Sequence, residues 1–244
     1  MTTASAPAQC PSLHIFAENL PLHEPFRISR MAFHHSQVVV AEILAGDHVG
    51  RGECEPHESD PVERDRVMAA LWALSGAVAD GLDRAALAAL LPAGPIRNAL
   101  DCALWDLEAK QRGTSVAALA GRPAPVALPT VFTLGIDTPR AMAEKAERMA
   151  AWTRLKIKLG GEENALDLER VAAVRRARPG AELIVDANGG WTMDILRQMA
   201  PALAGLGVAL IEQPLPPGKD APLAGYASPV PLCADESCLD RSSL

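Results

Sequence analysis

Aromatic side chains are scarce in this sequence: phenylalanine, tryptophan and tyrosine make up 4% of the 244 residues, and tyrosine occurs once. A basic excess is missing too, because 23 lysines and arginines stand against 30 aspartates and glutamates, for a net charge of -7. Nucleic-acid-binding proteins need clustered positive charge to neutralise phosphates. The charge balance therefore argues against a nucleic-acid partner.

Long apolar runs and paired cysteines are also missing. No run reaches the roughly 18–20 apolar residues that span a bilayer, and the first 11 residues lack the basic and apolar regions of a signal peptide. The five cysteines are an odd, scattered set without a Cys-x-x-Cys pair, which favours reduced thiols over disulfides or a zinc site. We therefore expect a cytoplasmic protein without a membrane partner.

Hydrophobic residues make up 49% of the chain, enough for a large core, and the pattern predicts an α/β protein of two domains. The pattern over residues 1–122 predicts an α+β domain, and the proline-rich stretch 121–125 is the candidate boundary between the two domains. Strands are predicted at 13–16, 37–44 and 49–53, with a hairpin turn at 45–47, and helices at 62–78, 84–91 and 96–112. A polar loop at 25–30 carries Arg27 and Arg30, for which solvated surface positions are the simpler interpretation.

Residues 123–244 repeat one pattern, a short apolar run that ends in charged side chains. The runs end at Lys156 and Lys158, then at Asp186, Glu212 and Asp235, in steps of 28, 26 and 23 residues. Each step suits one strand and one return helix, since an eight-unit β/α barrel averages about 31 residues per unit. With a further strand at 128–134, the pattern predicts five consecutive barrel units.

The three acids stand at the predicted carboxyl ends of neighbouring strands. Parallel strands of a barrel present their carboxyl ends at one rim, so the carboxylates of Asp186, Glu212 and Asp235 are expected to converge. Carboxylate oxygens are typical ligands of hard divalent cations, and Mg2+ is the ion we expect here. A single acid in this position is more often a helix cap, but three in successive units favour a metal site. Asn188 and Glu236, adjacent to two of the acids, are predicted to orient them.

Lys156 and Lys158 alternate with Ile157, so their side chains are expected on one face of their strand. Mutual repulsion and loss of solvent would both lower their pKa values, as a general base near neutral pH requires. The competing interpretation is two solvated lysines on an exposed strand.

The chain shows five strand units, where a barrel of this kind closes with about eight. At roughly 30 residues per unit, about 90 residues are missing. We interpret the sequence as truncated or incompletely represented.

The charged residues at the ends of these strands resemble the motifs of the enolase superfamily and, within it, of the muconate-lactonising-enzyme subgroup. The segments 156–158, 186–188, 212–214 and 235–237 are similar, in order and spacing, to its lysine motif and its three metal-ligand motifs. Residues 50–54 and 97–108 are similar to its capping domain. The resemblance implies an N-terminal capping domain over residues 1–122, and over 123–244 the first five units of a modified TIM (β/α)7β barrel, truncated here.

Residues 132–139 and the helix 97–108 are similar to the dipeptide epimerases, of the L-Ala-D/L-Glu type. The resemblance implies an isomerase with one Mg2+ per active site, held by Asp186, Glu212 and Asp235. Lys158 would exchange the α-proton on one face, Lys156 would lie near the substrate carboxylate, and Thr133 and Arg30 would contact the substrate. A second base on a sixth strand, an Asp-x-Asp segment on an eighth strand and a homo-oligomeric assembly are further implications; neither segment is present in these 244 residues.

Two alternatives stay open at this point. The chain could belong to another activity of the same subgroup: N-acylamino-acid racemase, o-succinylbenzoate synthase or muconate cycloisomerase. A catalytically incomplete fragment, stable only with a partner, is a hypothesis of another class.

Overall fold

The structure is a computed structural model that describes residues 10–28, 31–56, 61–160 and 163–243. It divides into two compact units. The first comprises the residues up to His23 together with His35–Val126, and the second comprises Glu24–His34 and the residues from Ala127 onward.

The described residues form a three-stranded sheet in the order β1 (Ser12–Arg27), β2 (Ala32–Ala45) and β3 (His48–Cys54), most of which belongs to the first unit. The sheet confirms the predicted hairpin, because β2 and β3 pair antiparallel around a turn in which Gly46 has a φ of 59°. The first strand is much longer than predicted. It continues to Arg27, so the expected loop at 25–30 begins as strand; Arg30 lies outside the described residues.

Within the described part of the chain, five helices follow the sheet: α1 (Pro61–Trp72), α2 (Ser75–Ala79), α3 (Arg84–Leu90), α4 (Pro95–Gln111) and α5 (Val116–Leu119). The single helix predicted over 62–78 is therefore two helices, α1 and α2. The long helix α4 lies against β3, where an added Cβ at Gly50 or Gly52 would come within 2.1 Å of a carbonyl oxygen of α4. The close contact between α4 and β3 therefore requires glycine at both positions.

The second unit holds five parallel strands in sequential order: β4 (Phe132–Leu134), β5 (Arg154–Lys158), β6 (Glu182–Asp186), β7 (Val208–Glu212) and β8 (Leu232–Cys233). In the described residues, α-helices make the first three of the four connections between these strands: α6 (Pro139–Arg148), α7 (Asn164–Ala177) and α8 (Met193–Gly205). The described part of this unit also has short 3-10 helices at Ala221–Gly225 and Arg241–Ser243. The predicted strand order and return helices are confirmed. Thr138 caps α6 by accepting a hydrogen bond from the Ala141 amide at 3.2 Å.

Two predicted strands are shorter in the structure. The strand expected at 128–134 pairs only over Phe132–Leu134, and Leu128 is 81% exposed. The strand expected to end at Asp235 pairs only at Leu232 and Cys233. In the part of the chain that the structure describes, none of the helices has the length and apolarity needed to cross a membrane.

A buried ion pair on α7 connects two loops of the second unit. Asp167 is fully buried and accepts a hydrogen bond from Arg170 at 2.7 Å and one from the Gly160 amide, after β5, at 2.9 Å. Arg170 also donates to the Asp137 carbonyl, after β4, at 2.7 Å. The pair therefore holds the ends of β4 and β5 together.

We predict that Arg170→Met lowers the free energy of unfolding by about 3–5 kcal/mol, because it leaves the carboxylate of Asp167 buried without its counter-charge. Arg197→Met is the matched control, since Arg197 forms the same i,i+3 pair with Asp194 on α8 but both side chains are largely exposed. Exposed pairs contribute less than about 1 kcal/mol. Urea unfolding measures both variants, and equal losses would contradict the assigned role of the α7 pair.

The five cysteines are free thiols, and Cys54 is the buried one. Burial, with a smaller effect of the neighbouring Glu53 carboxylate, raises the pKa of the Cys54 thiol to about 11. Because the thiolate is the reactive form, Cys54 is expected to alkylate about 100-fold more slowly at pH 8 in the folded protein than in the unfolded protein, where its thiol regains the ordinary pKa of 9.0. Mass spectrometry after a timed iodoacetamide pulse measures both rates. Equal labelling of Cys54 in the folded and the unfolded protein would contradict it.

Candidate metal centre and active site

Sheet register places the predicted site residues in adjacent rows. Lys158 of β5 is paired with Asp186 of β6, and Asp186 is paired in turn with Glu212 of β7. Thr133 of β4 is paired with Lys156, which lies two residues before Lys158 on β5. Residues paired in register point to the same face of a parallel sheet. The alternation of β5 confirms that face, since Leu155 and Ile157 are fully buried on the other side.

The three predicted acids converge. One oxygen each from Asp186, Glu212 and Asp235 lies within 4.8 Å of the others, with Asp186 buried, Glu212 half-buried and Asp235 exposed. An all-oxygen donor set with three negative charges is the chemistry that a hard divalent cation requires. These residues therefore fit the Mg2+ site that the sequence predicts.

Both lysines contact the buried acid of this set. Oδ2 of Asp186 lies 2.6 Å from Nζ of Lys158 and 2.9 Å from Nζ of Lys156. Lys156 also donates to Oε1 of Glu212 at 2.6 Å. The two ammonium groups thus contact carboxylates that would also hold the cation.

These contacts determine the titration of the cluster. Burial disfavours the charge on Lys156, but its hydrogen bonds to Glu212 and Asp186 prevail, so the pKa of Lys156 is raised. Burial likewise disfavours charge on Asp186, and hydrogen bonds from Lys158 and Lys156 outweigh it, so the pKa of Asp186 is lowered. For Glu212, burial prevails over the hydrogen bond from Lys156, and its pKa is raised. The expectation of a lowered pKa is therefore wrong for Lys156 in this arrangement.

Asn188 and Glu236 lie next to the acids, as predicted. The Asn188 amide donates to Oδ1 of Asp186 at 2.8 Å, and its side-chain oxygen accepts from Nζ of Lys158 at 3.0 Å. Nδ2 of Asn188 donates to Oε1 of Glu236 at 3.2 Å. Asn188 has a φ of 46°, a left-handed conformation that asparagine tolerates better than most residues. Its carboxamide therefore connects Lys158 to Glu236, which follows β8.

The two predicted substrate contacts differ in what the structure describes. Thr133 is half-buried on β4, beside Lys156 in the register. Arg30 lies outside the described residues.

The sequence reasoning missed two groups of residues around this centre. One is the buried pair of Asp167 and Arg170, which an i,i+3 spacing on a helix does not distinguish from a surface pair. The other is Gln213, which is 1% exposed and has a φ of 34°. Its position between the acid that ends β7 and Pro214 was the only available signal.

The chain matches the family "Mandelate racemase / muconate lactonizing enzyme, N-terminal domain" over residues 11–121 and the family "Enolase C-terminal domain-like" over residues 141–244. It is 43% identical over 235 residues to the L-Ala-D/L-Glu epimerase of Escherichia coli strain K12, covering 96% of this chain and 72% of that protein. The chain belongs to the mandelate racemase/muconate lactonizing enzyme family of the enolase superfamily. This confirms the resemblance inferred from the four motifs.

Within this family, a second relative is the N-acetyl-D-glutamate racemase of a Pseudoalteromonas species, 44% identical over 154 residues that cover 63% of this chain and 48% of that protein. Among solved structures, an enolase family member from Agrobacterium tumefaciens with homology to dipeptide epimerases superposes with a TM-score of 0.88 at 40% identity. That match covers 96% of this chain and 71% of the other, which holds sodium and L-Ala-L-Glu.

A more distant family member extends the comparison. The dipeptide epimerase from Enterococcus faecalis V583, complexed with Mg and L-Leu-L-Tyr, gives a TM-score of 0.83 at 26% identity, covering 95% of this chain and 69% of that chain. The fold is therefore an N-terminal capping domain followed by an enolase-type barrel domain. The match covers about seven-tenths of the length of the Escherichia coli epimerase and of the two solved structures, and 48% of the Pseudoalteromonas racemase.

Proposed function

We propose that this protein is a Mg2+-dependent isomerase that epimerises a dipeptide at an α-carbon next to a carboxylate. The observation that carries the proposal is the row formed by Lys158, Asp186 and Glu212, with Asp235 beside it. A cluster of three carboxylates could hold the cation, and a lysine in contact with that cluster could move the proton. The identities of the relatives support the same chemistry.

Each residue of the site has a separate role in the proposed reaction. Bound at Asp186, Glu212 and Asp235, Mg2+ would supply Lewis-acid stabilisation of the charge that develops on the substrate carboxylate. Lys158 removes the α-proton from one face, with its Nζ positioned by the side-chain oxygen of Asn188. Lys156, held by Glu212, lies where it can bind the substrate carboxylate. Glu236 holds the carboxamide of Asn188 by accepting a hydrogen bond from its Nδ2.

Complete inversion also needs a proton donor on the opposite face of the α-carbon. The resemblance places that donor on a sixth barrel strand, outside these five units. Exchange of the α-proton with solvent needs only Lys158, whereas net epimerisation needs both faces. The two measurements therefore report on different parts of the site.

The substrate class that we propose is an N-acylated glutamate. The names of two relatives point to this class, because L-Ala-L-Glu and N-acetylglutamate share a glutamate α-carbon that bears a free carboxylate and an acylated nitrogen. They differ in the ammonium group of the alanyl residue. A dipeptide is the leading candidate because relatives named as epimerases cover most of this chain, and racemisation of N-acetylglutamate is the second candidate.

The test is deuterium incorporation at the α-carbon in D2O with Mg2+ present, followed by NMR for L-Ala-L-Glu and N-acetyl-L-glutamate in parallel. We expect exchange of the glutamyl α-proton in the dipeptide, and loss of exchange after chelation of the metal. Faster exchange with N-acetyl-L-glutamate would select the second candidate. Absence of exchange with every dipeptide and N-acyl amino acid offered would reject the proposal.

A cytoplasmic, homo-oligomeric enzyme is the remaining part of the proposal. The five free thiols support a reducing compartment, where disulfides rarely persist. Light scattering on the purified protein measures its assembly, and a mass of 25.8 kDa at all concentrations would contradict the homo-oligomer.

A further inference from the structure

Gln213 occupies a junction between the three strands that carry the acids. Its amide donates to the Cys233 carbonyl of β8 at 2.8 Å, and its carbonyl accepts from the Gly189 amide, after β6, at 2.7 Å. The residue itself directly follows Glu212, the last residue of β7. The backbone of one residue therefore joins the carboxyl ends of β6, β7 and β8.

The side chain of Gln213 makes four hydrogen bonds in a buried position. Its Oε1 accepts from the backbone amides of Asp235 at 2.8 Å and Ser237 at 3.1 Å. Its Nε2 donates to the Leu215 carbonyl and to the Ser237 hydroxyl, both at 2.7 Å. An amide group offers two acceptor sites and two donor hydrogens, so the hydrogen-bonding capacity of this side chain is fully used.

The orientation of the Gln213 carboxamide is fixed by its neighbours. The Ser237 hydroxyl donates its hydrogen to Oδ2 of Asp220 at 2.6 Å, which leaves the hydroxyl oxygen to accept from Gln213. With the hydroxyl committed in this way, Nε2 must face Ser237 and Oε1 must face the two backbone amides. A flipped carboxamide would place Nε2 against the amides of Asp235 and Ser237.

We propose that Gln213 is a positioning residue that sets the distance between the carboxylates of Glu212 and Asp235, and thereby the affinity of the site for a divalent cation. The acid of β7 is its covalent neighbour, and the acid after β8 is held through its own backbone amide. Asp235 lies beyond the last paired residue of β8, so strand pairing alone does not fix it. This inference rests on the proposed function only in taking the three acids as the cation ligands.

The test replaces Gln213 with methionine, which keeps the length and volume of the side chain but makes no hydrogen bonds to the Asp235 and Ser237 amides. Residues that orient metal ligands typically contribute about 10- to 100-fold to metal affinity. We therefore expect the dissociation constant for Mn2+, measured by calorimetry and by electron paramagnetic resonance, to rise by about 10- to 100-fold. The matched control is Gln198→Met at an exposed position of α8, which should bind Mn2+ as the unaltered protein does.

Ser237→Ala provides a milder variant in case the methionine variant does not fold. It removes one of the four hydrogen bonds of Gln213 and the contact with Asp220, so we expect a loss of affinity of about two- to tenfold. Hydrogen exchange of the backbone amides of Asp235 and Ser237 supplies a readout without metal. Both amides should exchange faster in Gln213→Met than in Gln198→Met.

The outcomes separate this inference from the proposed function. Equal Mn2+ affinity and equal amide protection in Gln213→Met and the unaltered protein would overturn the inference, because Gln213 would then only fill space. If the unaltered protein binds no Mn2+, the proposed function fails. Unchanged protection of the Asp235 amide would then overturn the positioning role as well, and lost protection would support it.

Discussion

Replacing Lys158 by methionine is expected to lower the rate of α-proton exchange by about 10²- to 10⁴-fold, the usual contribution of a positioned general base. Nζ of Lys158 contacts both Asp186 and Asn188, on the face of the sheet where the acids converge. Methionine has a similar length but cannot accept a proton. The exchange rate of the glutamyl α-proton in D2O at saturating Mg2+ is the measurement.

The control for this variant is Lys219→Met, because Lys219 is an exposed lysine of the same unit. It should exchange the α-proton at the rate of the unaltered protein. Mn2+ affinity separates chemistry from folding: the Lys158→Met variant should bind the ion at least as tightly, since an ammonium group that competes for Asp186 is gone. An unchanged exchange rate in Lys158→Met would exclude this lysine as the base.

Replacing Asp186 by asparagine is expected to weaken Mn2+ and Mg2+ binding by about 100-fold or more, because even residues that only orient ligands contribute about 10- to 100-fold. Asp186 is the fully buried acid of the cluster, and one of its oxygens is shared by both lysines. Asparagine preserves the shape but removes the charge. Calorimetric titration with Mn2+ measures the effect, and exchange of the α-proton should fall with it.

Asp194→Asn is the matched control for the metal-ligand variant. Asp194 lies in the first turn of α8 with a side chain that is 83% exposed, so its replacement should leave Mn2+ affinity unchanged. If Asp186→Asn binds Mn2+ with the dissociation constant of the unaltered protein, the three acids are not the ligand set. The lysine contacts would then describe a structural ion-pair cluster.

The repeat in the second unit could be read from the sequence because each strand is a short apolar run that ends in a charged residue. Where the contrast between apolar run and charged end is weak, the sequence does not define the ends of a strand. Leu128 is apolar and belongs to a predicted strand, yet it is 81% exposed, because pairing with β5 begins only at Phe132. Hydrophobicity marks residues that favour a strand, but pairing depends on a partner that the sequence does not show.

The pKa of Lys156 shows a second limit of the sequence. The period-2 alternation of Lys156 and Lys158 correctly placed both side chains on one face. It did not show that Oδ2 of Asp186 would contact both ammonium groups. The attraction of this carboxylate and of Glu212 therefore prevails over desolvation at Lys156, and its pKa rises instead of falling.

Residues that hold the site in place were hardest to find, because their chemistry is ordinary and only their burial is unusual. Asp167 and Arg170 look like one of the many i,i+3 pairs on helix surfaces, such as Asp194 and Arg197. Gln213 is a single neutral residue after a strand. Only the described contacts show that the first pair is buried and that the glutamine makes four hydrogen bonds.

A crystal structure with Mn2+ tests the three-acid site most directly, because anomalous scattering locates the ion independently of any assumed ligand. We expect one peak coordinated by an oxygen from each of Asp186, Glu212 and Asp235, with Nζ of Lys158 directed toward it. A peak elsewhere, or these three carboxylates apart from one another with Lys158 directed away, would contradict it.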